Sequence, residues 1–206
     1  MAGLSSAPLK IEWASASSTL AGETESGDQC LVAEFPDGAL AAVVDGLGHG
    51  PEAAAAAQAA VASLARHPSE PVLQLLQDCH ADLRKTRGAV ISLVSFDLHA
   101  ATITWAGVGD VEGVMIRGEP AGRAARESIL LRSGVVGYQL PRLRETTHSL
   151  GAGDTVLLAT DGVGHRFTGT DCRGLTADEI ARDVMDNHRK GTDDALVLAI
   201  CCVAAS

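Results

Sequence analysis

Two copies of one acidic pentapeptide, DGLGH at Asp45–His49 and DGVGH at Asp161–His165, each follow an apolar run, LAAVV before the first and TVLLAT before the second. A short aliphatic run reads as a buried strand. Both aspartates therefore stand where a strand leaves the core, beside glycines that let other groups approach the backbone. Asp193 and Asp194 directly precede a third apolar run, ALVLAI, and Asp28, after Gly27, directly precedes a fourth, QCLVAEF. Hard divalent cations prefer carboxylate, carbonyl and water oxygens, and Mg²⁺ keeps several waters while taking only a few protein carboxylates. Asp45 and Asp161 fit that requirement. For any single one of the remaining aspartates, ordinary turn chemistry is an equally good reading.

Other chemistries find less support. GLGHG has its third glycine misplaced for a GxGxxG dinucleotide loop, and neither a GK[ST] phosphate loop nor a GxSxG nucleophile elbow occurs. Cys79 to Arg84 spells CxxxxR, but it lies inside a helical pattern and reads as a core-facing cysteine. His49 and His165 read as solvated or turn-capping side chains rather than ligands. Five cysteines, an odd count without CxxC spacing, argue against a disulfide framework and a zinc site. A formal charge of −10 disfavours nucleic acid and anionic lipid as partners. No apolar run reaches the roughly 18 residues of a spanning helix, and the start lacks a secretory leader, so a cytoplasmic setting is expected.

The elements that position these residues alternate along the chain. With 206 residues, 46% apolar and few aromatics, the expectation is one domain over residues 1–206 whose core is built from Ala, Val, Leu and Ile. LKIEWASAS, QCLVAEF and ALAAVV read as strands, the latter two as antiparallel neighbours joined at Pro36, Asp37 and Gly38. Gly50 and Pro51 open an Ala-rich helix, and a second helix is predicted from about Glu70 to Thr86 by the spacing of Val72, Leu75, Leu76, Cys79 and Leu83. AVISLVSFDL, ATITWAGVG and VEGVMIRG read as a three-strand meander, followed by strands at SILLRS, RLRETTHSL and DTVLLAT. Thr176 with Glu179 marks a capping box, and ALVLAICCVA closes the chain as a buried strand. Strand runs interrupted by helices, with hairpin-length connections, favour an α+β sandwich.

SGD at Ser26–Asp28, VVDGLGHG at Val43–Gly50, GVGD at Gly107–Asp110, LLATDGV at Leu157–Val163 and TDDALVLAI at Thr192–Ile200 occur in the order seen in the metal-dependent PPM protein serine/threonine phosphatases. The chain resembles that family over nearly its whole length. KTRGAVISL at Lys85–Leu93 and SGVVGY at Ser133–Tyr138 resemble its short bacterial stressosome branch. The resemblance implies a four-layer αββα sandwich of two antiparallel sheets flanked by helices, a catalytic domain without a regulatory one, with two Mn²⁺ or Mg²⁺ ions at one end. It further implies that Asp45 bridges both ions, that the Gly46 carbonyl completes one coordination sphere, and that Asp161 and Asp193 bind the second ion. Asp28 would act through water, Asp194 is the fallback for Asp193, and Asp110 matches a weaker third metal position. Asp45, Asp161 and Asp193 would thus act in catalysis by way of a metal-activated water. Many eukaryotic relatives carry a phosphate-binding arginine shortly before the first acidic motif. This chain reads AGETESGD there, leaving Arg87 as a substitute weighed against plain packing or exposure.

The implied partners are phosphorylated STAS-domain proteins of the stressosome, with no nucleic acid and no membrane involved. The alternatives are a phosphatase of an anti-anti-sigma factor and a non-catalytic PPM-like binding module. The segment Arg117–Tyr138, with a small, charged surface loop at Glu119–Arg126, is expected to contribute to substrate docking.

Overall fold

The computed structural model describes residues 8–118 and 126–205. Its strands are β1 (Leu9–Ser18), β2 (Asp28–Phe35), β3 (Gly38–Gly46), β4 (Ala89–Asp97), β5 (Thr102–Val108), β6 (Glu112–Ile116), β7 (Arg126–Ser128), β8 (Leu131–Arg132), β9 (Thr146–Ser149), β10 (Thr155–Ala159) and β11 (Ala195–Ala204). The helices are α1 (Pro51–Ala65), α2 (Val72–Asp82) and α3 (Ala177–His188), with single 3₁₀ turns at Leu83–Lys85 and His165–Gly169.

The strands form two sheets, one ordered β1-β11-β10-β6-β7 and the other β2-β3-β4-β5-β8, with β9 also pairing β5. Three apolar clusters glue four layers together. Between the sheets lie Val43, Val94, Phe96, Trp105, Met115, Leu158 and Leu198 among others. Outside the second sheet, Val44, Ile91 and Leu93 meet Ala57, Leu64, Leu76 and Cys79 of α1 and α2. Outside the first, Leu157, Val197 and Ala199 meet Ile180, Ala181 and Val184 of α3. Val43 and Val44 face opposite layers because successive strand residues point to opposite sides. A strand buried on both faces reads as a continuous apolar run, which accounts for LAAVV and TVLLA. The result is the αββα sandwich expected from the sequence.

Local signals hold where a residue type dictates geometry. Pro36 and Asp37 close the β2–β3 hairpin, with Asp37 at φ 64°, a left-handed position that Asp tolerates. Pro51 starts α1, and Thr176 and Glu179 exchange the two hydrogen bonds of the capping box at α3. The second helix is shorter than the periodicity predicts. Extended backbone at Pro71 precedes its start, and its last turn tightens into 3₁₀ geometry, closed by the Thr86 hydroxyl on the Leu83 carbonyl at 2.8 Å.

The meander expectation fails after its second strand. β4 and β5 are neighbours, but β6 lies in the other sheet against β10. The chain turns at Gly109, whose φ of 99° and 2.2 Å approach of Val90 to any added Cβ exclude a side chain. The Ser92 hydroxyl then holds the Val111 carbonyl at 2.6 Å. SILLRS likewise divides: β7 pairs β6 in one sheet and β8 runs parallel to β5 in the other. Ile129 and Leu131 are both drawn into the core between the sheets, so burial rather than strand propensity sets the crossover. Arg117–Tyr138 is therefore not one surface loop, and most of Glu119–Arg126, residues 119–125, lies outside the described residues.

Candidate functional site

The two acidic repeats leave equivalent places in the two sheets. Asp45 is the penultimate residue of β3, an interior strand between β2 and β4, and Asp161 follows β10, an interior strand between β11 and β6. Asp28 begins β2 and stands in register with Asp45. Asp193 and Asp194 precede β11, the partner of β10. At this end an open cavity of about 470 Å³ is lined by Asp45, Asp110, Asp161 and Asp193, together with Leu47, Gly48, His49, Val90, Gly109 and the segment Ser133–Val135.

Glycines make the close approach possible. Backbone atoms of Ala53 in α1 come within 2.1 Å of where a Gly46 side chain would begin, and the Asp194 carbonyl within 1.8 Å of that point on Gly162. The first repeat is thus pressed against a helix and the second against the start of β11. The Gly46 carbonyl lies 3.3 Å from the corresponding point on Gly27, and Gly46 is not among the cavity-lining residues.

Burial and mutual repulsion dominate the electrostatics. The Asp28 carboxyl is pushed up from 3.8 to about 7 by burial, opposed by the Thr160 hydroxyl and reinforced by Asp194, Asp161 and Asp193. Asp45 is pushed up to about 8 by burial, then by Asp28, Asp161, Asp110 and Asp193. Asp161 is raised by partial desolvation, then by Asp193 and Asp110, against the pull of Lys190. Among the described residues none of these carboxylates has a lysine, arginine or histidine ion partner. Carboxylates crowded without counter-charge keep protons that they would otherwise release.

Adjacent in sequence, Asp193 and Asp194 differ in surroundings. Both Asp194 oxygens accept backbone hydrogen bonds at 2.7 Å, one from Leu20 and one from Gly27, and the residue is 3% exposed. It ties the β1–β2 connection to β11. Asp193 lines the cavity and, among the described residues, its carboxylate accepts just the Asp194 amide. Asp28 is buried behind the cavity wall, its carboxylate accepting the Thr160 hydroxyl at 2.7 Å. Asp110 is exposed at the rim.

The donor set is all oxygen, as hard cations require. Among the described residues no three carboxylate, imidazole or thiol groups converge on one point; the carboxylates line a cavity instead. That spread suits ions that keep much of their water shell and take few protein ligands each. His49, on the cavity wall, and His165 are each engaged by a glutamate from another segment, with Nδ1 2.6 Å from an oxygen of Glu23 for the first and of Glu112 for the second. Cys79 is fully buried in α2, and burial pushes its thiol up to about 12.

Sequence reasoning did not find Thr160, which joins Asp28 of one sheet to the Leu196 amide of the other at 2.7 and 2.9 Å. It also missed Lys190, whose ammonium donates to the Asp161 carbonyl. The threonine before the second Asp-Gly was the available signal for the first; nothing in the spacing signals the second.

A family model described as Stage II sporulation protein E (SpoIIE) matches residues 36–203. A search of curated proteins returned no match. Among solved structures, the chain is similar to one described as "The bacterial stressosome: a modular system that has been adapted to control secondary messenger signaling", at 31% identity and TM-score 0.83, covering 93% of this chain and 99% of that one. It is similar to RsbX in complex with magnesium at 20% identity and TM-score 0.83, covering 93% and 95%. It is also similar to the catalytic domain of the serine threonine protein phosphatase PstP in complex with two manganese ions, at 18% identity and TM-score 0.71, covering 95% and 99%. With the family match extending over most of the chain and the same sandwich recurring in these structures, the chain belongs to the SpoIIE family of PPM-type phosphatase domains.

Proposed function

We propose that this chain is one catalytic unit that hydrolyses phosphoserine or phosphothreonine on STAS-domain proteins of a stressosome, using two Mn²⁺ or Mg²⁺ ions. The observation that carries the reading is the set of carboxylates at one mouth of the sandwich, with no side-chain ion pair among the described residues and only Lys190 drawing on Asp161, and with Asp28, Asp45 and Asp161 raised in pKa by burial and by neighbouring carboxylates. Such a set is costly without cations and is offset by them.

In this reading Asp45, Asp161 and Asp193 would hold the ions through carboxylate oxygens, Asp28 would act through water, and Asp110 would serve a third ion at the rim. The Gly46 carbonyl, the remaining expected ligand, lies toward Gly27 and off the cavity wall, and would be the least favourably placed of the set. Bound there, such ions lower the pKa of water and neutralise charge that builds on the phosphoryl oxygens. The protein's own part is to fix the oxygens in place. Thr160 holds Asp28, Asp194 spends its charge on the Leu20 and Gly27 amides so that the strand ends stay in register, and Lys190 braces the Asp161 carbonyl. Cys79, fully buried with its thiol pushed up to about 12, is not available as a nucleophile. Direct attack by water, with no phosphoenzyme, is the mechanism this arrangement favours.

The stressosome assignment rests on the 31% identity to a structure described under that system and on the fold shared with RsbX. Exposed Leu47 and Tyr138, at 37% and 83%, offer apolar contacts beside the cavity-lining segments for residues flanking the phosphorylated one. Among the described residues no helix is long and apolar enough to cross a membrane.

Incubating the protein with a panel of purified phospho-STAS proteins, with and without Mn²⁺, tests the reading. Mn²⁺-dependent phosphate release from stressosome STAS proteins is expected. Release confined to an anti-anti-sigma factor would favour that alternative substrate, and binding without release would favour a scaffold.

A further inference from the structure

We propose that β1 is the joint of a homodimer: two copies of this chain pair their β1 strands antiparallel about Ile11, so that the two sheets ordered β1-β11-β10-β6-β7 run on as one. β1 borders its sheet, with β11 on one side and, among the described residues, no strand on the other. The direction of its backbone groups follows from contacts of its neighbour. The Pro8 carbonyl accepts the Ala205 amide at 2.7 Å. Opposite Ile11, both backbone groups of Cys202 are taken on the far side, its amide by the Asp154 carbonyl at 2.8 Å and its carbonyl by the Gly153 amide at 2.7 Å. Alternate residues of an antiparallel strand face alternate neighbours, so the amides and carbonyls of Leu9, Ile11 and Trp13 point away from β11. Such a row is a template for another strand.

The side chains select a second copy as the occupant and fix the register. Lys10 and Glu12 share one face of β1, 2.9 Å apart and 48% and 55% exposed, so the edge carries both signs two residues apart. Pairing about Ile11 sets Lys10 of each copy against Glu12 of the other, at positions without ladder hydrogen bonds, where side chains come closest. On the opposite face it sets Leu9 against Trp13 and covers an indole that is 45% exposed at the open edge. Moving the centre of pairing by one residue to either side would oppose Lys10 to Lys10 or Glu12 to Glu12, which is unfavourable. β2, the long edge strand of the other sheet, carries only Asp28 and Glu34 as charged residues, so self-pairing there would bring together charges of one sign.

The rest of the fold leaves room for this joint. α3 packs on β1 at Ala14 and Ala16, beyond the paired stretch, and antiparallel pairing sends the two α3 helices to opposite ends of the contact. The acidic mouth lies past the C-terminal end of β1, where Asp194 holds the Leu20 amide. The two mouths of the dimer therefore open in opposite directions, and both stay accessible. A contact one strand long is small, of the class that exchanges between monomer and dimer with concentration.

Analytical ultracentrifugation of the full chain over a concentration series tests the joint, with thermal unfolding of each variant measured alongside. The wild type is expected to pass from monomer to dimer as concentration rises. Lys10→Glu and Glu12→Lys should each weaken dimerisation by about 10- to 100-fold, because attraction at symmetry-related places turns into repulsion. An equimolar mixture of these two variants should dimerise again, since one then presents only acidic and the other only basic groups, and the double variant Lys10→Glu/Glu12→Lys should match the wild type. Trp13→Pro should abolish the dimer and leave the monomer folded, because the lost amide faces away from β11 and proline is tolerated at such an edge position. A wild type that stays monomeric up to about 1 mM, or charge variants that dimerise as well as it does, overturns the proposal. A dimer that persists in folded Trp13→Pro lies on another face and overturns it too. Should Trp13→Pro fail to fold, the charge variants and their mixture decide the matter.

Discussion

Asp28 and Asp45 face each other across the β2–β3 ladder, two carboxylates in register at the end of a sandwich where the chain could have placed any polar pair. Like charges directly opposite destabilise a ladder, and burial adds to the cost. The arrangement makes sense for a site whose charge is completed by something else.

That pair sets a pH dependence for the metal-free protein. Both carboxyls are raised, from 3.8 to about 7 for Asp28 and about 8 for Asp45, so the folded state binds protons that the unfolded chain has released. Where the native state holds more protons, stability falls as pH rises. The EDTA-treated protein should therefore lose a few kcal/mol between roughly pH 4 and pH 8. Mn²⁺ should restore the loss mainly at the alkaline end. Melting temperatures across that window, with and without Mn²⁺, would expose the error if stability rose steadily with pH in EDTA.

Asp45→Asn keeps shape and removes one of the two opposed charges. Phosphatase activity should fall by about 10³-fold or more, as for loss of a group central to a catalytic metal site. The metal-free melting temperature near neutral pH should stay equal or rise, since repulsion with Asp28 is relieved. Turnover of phosphoprotein at a wild-type rate by this variant would refute the two-metal proposal.

Asp193 and Asp194, adjacent in the chain, should respond oppositely to the same change. Asp194→Asn presents an NH₂ to one of two buried backbone amides and should cost about 1–3 kcal/mol of stability. Asp193→Asn leaves those bonds intact and should instead weaken Mn²⁺ binding with little change in melting temperature. Denaturant unfolding and Mn²⁺ titration of both variants check the crossing; the reverse outcome would exchange the two roles.

Cysteine chemistry should be dispensable. Cys79→Ala should retain Mn²⁺-dependent activity and lose about 1–2 kcal/mol of stability from a shrunken core contact between α2 and the sheet. Activity should vanish in EDTA and return with Mn²⁺. Mass-spectrometric detection of a phosphocysteine during turnover is the observation that would sink the direct-hydrolysis mechanism.

How much of this was legible in the chain depends on the range over which each signal acts. The carboxylates at strand ends were readable because an apolar run followed by Asp-Gly is a local statement: burial must stop there, and the next residue must be small. The layers were readable for the same reason, since fully apolar runs such as LAAVV and TVLLA belong to strands covered on both faces. The Pro36–Asp37 turn and the Thr176–Glu179 box are local in the same way. Tertiary structure alone decided which sheet each strand joined. VEGVMIRG is as good a meander strand as its predecessors, and only the burial of Val111, Met115 and Ile129 between the sheets sends β6 and β7 across. It also decided which of two adjacent aspartates faces the cavity, because the Leu20 and Gly27 amides that occupy Asp194 lie 174 and 167 residues away. Thr160 on Asp28 and Arg87 on Gly48 belong to the same class. A hydrogen bond or close packing between distant segments leaves no periodicity in a sequence, and it exists only once the hydrophobic layers have brought the strand ends together.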